Sequence, residues 1–184
     1  MNDFECLITY QGNESNRINK GLRKQYPNSD ILEIENKINN ALRKLEKVPN
    51  KILYRTEQSI SSFNEVSTWF FNRIGTKICF PSFLSCSLNS NWMKDKEFIF
   101  VITTIKETNA FNLKTLNPDH PESEVLFKSK SSFIISHLNK DTNSVFLIES
   151  KESTTEIIYQ DSGFFAKPIR NSVPKKSLSD LDLI

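Results

Sequence analysis

Glycine is scarce. The chain of 184 residues has four, Gly12, Gly21, Gly75 and Gly163, and they are well separated. A P-loop and a dinucleotide fingerprint both need clustered glycines where backbone approaches phosphate, so both are excluded. Any nucleotide must be held by side chains instead. The three cysteines, Cys6, Cys79 and Cys86, form no Cys-x-x-Cys and are odd in number. That argues against a disulfide framework and against a zinc site. His120 and His137 are the only histidines and lie far apart, so no Cys/His metal cluster is expected. Neither sign of charge dominates: 24 basic side chains face 22 acidic ones. No field follows that would draw nucleic acid or a membrane surface. Long apolar runs are also missing. The longest, residues 98–101 continuing to Ile105, is interrupted by two threonines and is too short to span a bilayer. The opening Met-Asn-Asp-Phe-Glu lacks the basic n-region and apolar core of a signal peptide. The expectation is a soluble chain with no nucleic-acid partner and no membrane segment, any secretion using a route other than Sec.

What is present supports one domain with a tail. Fourteen phenylalanines, with runs of Ile and Leu, can fill a core at this length. Residues 1–165 read as the domain. Residues 166–184, rich in Lys, Ser, Pro and Asp, read as a polar tail. Ile18, Leu22 and Tyr26 at every fourth position predict a helix over 14–26, stopped by Pro27. Ile31, Ile34, Ile38, Ala41, Leu45 and Val48 make the apolar stripe of a second helix, started at Asp30 and Glu33 and ended by Pro49. A third is expected over 63–74, with Gly75 as its cap and Trp69, Phe70 and Ile74 packed. Strands are expected at 51–56, 83–87, 97–105, 124–127, 131–138, 144–149 and 154–160. Helices first and short strands after predict an α+β domain.

Three features of this order carry chemistry. Arg55 closes a strand behind Tyr54. Ser85 and Ser87 alternate on a strand behind Phe83, with Cys86 between them. Glu122 and Glu124 flank Ser123 ahead of Val125, Leu126 and Phe127. Pro121 cannot donate to a sheet, so Glu122 belongs to a loop and Glu124 to the start of the strand. Alternation points both carboxylates to one side. They repel each other there unless a substrate or a cation uses them. Taken singly, each feature is also what a solvated strand face or a surface ion pair would show.

Together, this set resembles the mono-ADP-ribosyltransferase family of the Arg-Ser-Glu type, which includes bacterial toxins and effectors and arginine-specific animal enzymes. Tyr10, Ile18-Asn19 and Leu22-Arg23 look like the family's opening Tyr … Ile-Asn-x-x-Leu-Arg helix. The likeness spans roughly residues 8 to 150. It implies N-terminal helices followed by a two-sheet antiparallel β core. It also implies NAD as substrate and transfer of ADP-ribose to a protein side chain. By family logic, Arg55 would meet the NAD phosphates, and Glu124 would stabilise the positive charge that develops on the ribose. Ser85 would hold Glu124 and the ribose. Ser87 would shape the strand end beside the NAD site. Glu122 would orient and deprotonate the acceptor, and a glutamate there goes with arginine acceptors. Two positions depart from the family pattern: Thr56 stands where glycine often follows the arginine, and Cys86 where threonine is usual. Trp92 reads either as a stacking partner for nicotinamide or as packing, and His120 as an exposed loop residue. A catalytically silent binding module and an NAD glycohydrolase are the alternative functions.

Overall fold

A computed structural model describes residues 1–24, 26–57, 63–93, 98–116 and 123–152. Glu122, His120, the expected strand at 154–160 and the tail lie outside the described residues.

The chain opens with a helix that periodicity did not predict, α1 (Asp3–Thr9). It exists because Asn2 and Glu5 cap it reciprocally. The Glu5 N–H donates to Asn2 Oδ1 at 2.9 Å, and the Asn2 N–H donates to Glu5 Oε2 at 2.7 Å. A π-helical turn (Tyr10–Glu14) joins it to α2 (Ser15–Leu22). The helix expected to reach residue 26 therefore ends at Leu22, and Tyr26 is 83% exposed, off the apolar stripe. Gly21 is where α2 meets α3 (Ser29–Leu42). A Cβ there would lie 2.9 Å from Ile31 Cγ1, so only glycine lets the helices approach this closely. Asn28, not Asp30, caps α3, its Oδ1 accepting the Ile31 N–H at 3.0 Å. This helix stops at Leu42, short of Pro49. Its continuation is diverted because the Val48 N–H donates to the Ala110 carbonyl at 3.0 Å, tying the segment to the sheet.

The remaining elements are β1 (Ile52–Glu57), α4 (Phe63–Phe71), β2 (Lys77–Phe80), β3 (Leu84–Ser87), a 3₁₀ turn (Ser90–Met93), β4 (Phe98–Thr103), β5 (Ala110–Asn112), β6 (Glu124–Phe127), β7 (Ser131–Asn139) and β8 (Ser144–Ser150). Helix α4 ends before Ile74, which is 43% exposed rather than packed. Gly75 follows at φ 82°, its N–H on the Ile135 carbonyl at 2.8 Å.

Among the described residues the strands form one hydrogen-bonded order, β2-β7-β8-β4-β1-β3-β6-β5. All pairs are antiparallel except β4 with β8. Strands β6 and β7 stand five places apart, about 24 Å if the sheet were flat. Yet the rings of Phe127 and Phe133 lie 5.1 Å apart. The sheet must fold over on itself. The fold line is β1–β3, whose ladder is a single pair, Tyr54 with Ser87. The expected two-sheet core is thus two halves of one ladder, five strands against three. Leu53, Phe70, Phe80, Phe100, Phe127 and Phe133 fill the space between them. A second core lies between the helices and the three-strand half, with Leu7, Ile18, Ile38 and Leu42 against Phe83 and Leu126. No described helix is long and apolar enough to cross a membrane.

Candidate active site

The fold line brings the sequence-predicted residues together. In register, Ser87 faces Glu124 and Ser85 faces Leu126 across β3 and β6. Directly opposed residues share a face, and alternation returns every second residue to it. Ser85, Ser87 and Glu124 therefore stand on the same face, and Cys86 turns the other way into the inter-sheet core, 5% exposed. Ser85 Oγ donates to Glu124 Oε1 at 2.8 Å. Ser87 closes the end of β3, its Oγ accepting the Asn89 N–H at 3.0 Å.

Arg55 enters from β1. A continued β1–β3 ladder would bring Thr56 opposite Ser85, but the ladder stops after Tyr54 and Ser87. The Ser85 carbonyl accepts from Arg55 Nη1 instead, at 2.7 Å. One serine thus touches both charged residues, the arginine through its backbone and the glutamate through its hydroxyl. Glu124 and Ser85 are half-buried, where charge-assisted hydrogen bonds gain strength from the lowered dielectric.

The N-terminal helices complete the site. Tyr10 is buried, its ring edge-on to Phe83 with centroids 5.2 Å apart. Asn19 Nδ2 donates to the Tyr10 hydroxyl at 2.9 Å, while Asn19 Oδ1 accepts the Phe83 N–H at 3.2 Å. Burial pushes the Tyr10 hydroxyl up to about 12, opposed by the Asn19 hydrogen bond and the charge of Arg55. It is therefore neutral at pH 7. Gln11 was not among the sequence candidates. Its Nε2 donates to Glu124 Oε2 at 3.1 Å. The partners are 113 positions apart, and no periodicity or spacing near Gln11 marks it.

A family model described as ADP-ribosyltransferase exoenzyme matches residues 2–163 of the chain. No curated protein is significantly similar to it in sequence. Among solved structures, the C3 exoenzyme of Clostridium limosum is 18% identical with a TM-score of 0.66, over 81% of this chain and 85% of that one. The ADP-ribosylating toxin BECa of a C. perfringens binary enterotoxin, solved with NADH, is 19% identical with a TM-score of 0.65, over 80% of this chain. The present chain spans 43% of BECa, less than half its length. The ADP-ribosyltransferase Vis of Vibrio splendidus, in complex with agmatine, is 15% identical with a TM-score of 0.60, over 87% and 77% of the two chains.

Proposed function

The chain belongs to the ADP-ribosyltransferase exoenzyme family, and from that premise we propose that it transfers ADP-ribose from NAD to a protein arginine, releasing nicotinamide, as a bacterial toxin or effector would. The observation that carries this reading is the hydrogen bond from Ser85 Oγ to Glu124 Oε1, on a serine whose carbonyl is held by Arg55. A carboxylate oriented by a neutral hydroxyl, next to an arginine at the fold line of the sheet, suits a substrate that carries a diphosphate and develops positive charge on a ribose.

The chemistry follows from the charges. The bond between ribose C1 and the nicotinamide nitrogen breaks, and its electron pair leaves with nicotinamide, which becomes neutral. The ribose acquires oxocarbenium character. Glu124 faces that charge and accepts a hydrogen bond from a ribose hydroxyl, which is electrostatic stabilisation of the transition state. Arg55 meets the diphosphate, its planar fork matching phosphate oxygens in pairs. Ser85 keeps Glu124 in place. An acceptor guanidinium is protonated and a poor nucleophile. Glu122 accepts its proton as the guanidinium nitrogen attacks C1. BECa with NADH supports a nicotinamide dinucleotide as the donor, and Vis with agmatine, a decarboxylated arginine, supports a guanidinium acceptor.

The test is NAD turnover by the purified protein with and without agmatine. The wild type should release nicotinamide and modify agmatine. Glu124→Ala should do neither, and Glu122→Ala should hydrolyse NAD without modifying agmatine. A wild type that hydrolyses NAD but leaves agmatine untouched would be a glycohydrolase. One that neither binds NAD nor releases nicotinamide would sink the enzyme reading in favour of a binding module.

A further inference from the structure

We propose that Gln11 is a positioning residue for Glu124, fixing the plane of its carboxylate through the oxygen that Ser85 does not hold. The inference rests on the reading of Glu124 given above. The terminal torsion of a glutamate is broad and roughly two-fold. A carboxylate held at one oxygen can therefore still swing. Glu124 is held at both: Oε1 by Ser85 Oγ at 2.8 Å and Oε2 by Gln11 Nε2 at 3.1 Å. Two donors on two oxygens define a plane.

Gln11 is backed by a buried, hydrogen-bonded neighbour. It sits in the π-helical turn Tyr10–Glu14, and such turns are rare and concentrate at functional sites. Its neighbour Tyr10 is buried and bound to Asn19, and Asn19 in turn accepts the N–H of Phe83, two residues before Ser85. The turn that carries Gln11 and the strand that carries Ser85 are thus braced by one bracket, Tyr10-Asn19-Phe83.

The amide also has the right charge. Lysine or arginine at this position would donate equally well but would neutralise the carboxylate that must face a developing cation. A carbonyl–amide side chain orients Glu124 and leaves its charge intact.

Two substitutions test this. Gln11→Met keeps the length and removes the donor. Its kcat should fall about tenfold or more with the KM for NAD little changed, since misplacement of a reacting group by ~1 Å can cost 10²-fold. Gln11→Glu keeps the shape but turns the donor into a carboxylate that repels Glu124, and its kcat should fall at least as far, again with the KM for NAD little changed. A purely structural role for Gln11 would lower stability without this split between kcat and KM. Unchanged kcat in Gln11→Met overturns the proposal while leaving the transferase reading intact. The contact is also read without turnover, by NMR of the Gln11 side-chain amide in the wild type and in Glu124→Ala. Amide protons that shift on loss of Glu124 support the pairing, and protons that do not shift overturn it. An inactive wild type would defeat the functional reading, and that NMR result would still decide the pairing.

Discussion

Ser85 reaches Glu124 diagonally. Its direct partner across β3 and β6 is Leu126, and the carboxylate it holds belongs to the residue two positions earlier on that strand. Diagonal neighbours lie about 7–8 Å apart at the backbone, within reach when one side chain is long. Glutamate spans that gap and aspartate does not. Glu124→Asp should therefore lose the Ser85 hydrogen bond and reduce kcat about 100-fold or more, while Ser85→Ala, which keeps the full-length carboxylate, should cost about tenfold. Steady-state nicotinamide release compares the two, and a milder effect for Glu124→Asp than for Ser85→Ala would refute the geometry.

Arg55 has a structural debt to Ser85 as well as a proposed role toward NAD. Arg55→Ala leaves the Ser85 carbonyl without its guanidinium donor, a loss of about 1–3 kcal/mol. Arg55→Lys retains a charge but no bidentate fork. Calorimetric titration with NAD should rank the affinities wild type, then lysine, then alanine. Urea unfolding should show alanine as the least stable of the three.

The buried Tyr10 hydroxyl makes the protein sensitive to alkali. In the unfolded chain a tyrosine ionises near pH 10, and in the fold Tyr10 holds its proton to about 12. Its folded-state value is raised, so its contribution is complete below pH 10 and is lost as pH rises from about 10 to about 12. The loss is about 1.4 kcal/mol per pH unit in that window. Urea unfolding at pH 9 and pH 11 should show wild type losing about 1 kcal/mol more stability than Tyr10→Phe. Equal losses would show that Tyr10 does not carry the effect.

Glu149 anchors the segment between β4 and β5. Only 3% exposed, it accepts the Ile105 N–H on Oε2 at 3.2 Å and the Asn109 N–H on Oε1 at 2.6 Å. Glu149→Ala orphans two backbone donors and should destabilise the fold by about 2–4 kcal/mol. Glu149→Gln, which retains one acceptor oxygen, should recover about half of that in the same denaturation experiment.

Gly21 separates intrinsic helix preference from packing. Alanine is about 1 kcal/mol better than glycine in a helix interior. The Ile31 side chain stands 2.9 Å from where the new Cβ would be, and this crowding reverses the sign. Gly21→Ala should lower the melting temperature, and Gly21→Ala combined with Ile31→Val should recover part of the loss. A melting temperature raised by Gly21→Ala alone would show that the helices yield.

The sequence by itself determined most of the order of helices and strands, because apolar periodicity and turn residues are local, but α1 and β2 were not among its expectations. It singled out Arg55, Ser85 and Glu124 as candidates, because each flanks an apolar strand run, and the fold brings them within hydrogen-bonding reach of one another. It also excluded a glycine-based phosphate loop through simple scarcity. Helix ends were legible only in part. Residues 43–48 keep a helical stripe, yet Val48 leaves the helix because its N–H finds the Ala110 carbonyl, an acceptor far along the chain. Helix α1 depends on a reciprocal cap between Asn2 and Glu5 rather than on a long stripe. The tertiary structure alone decided where the sheet folds, since a ladder of one pair is a matter of register between distant strands. It alone placed Gln11 on Glu124 and gave the Ser85 carbonyl to Arg55. A hydrogen bond across 113 positions depends on the packing of whole elements, and one-dimensional pattern carries no record of it.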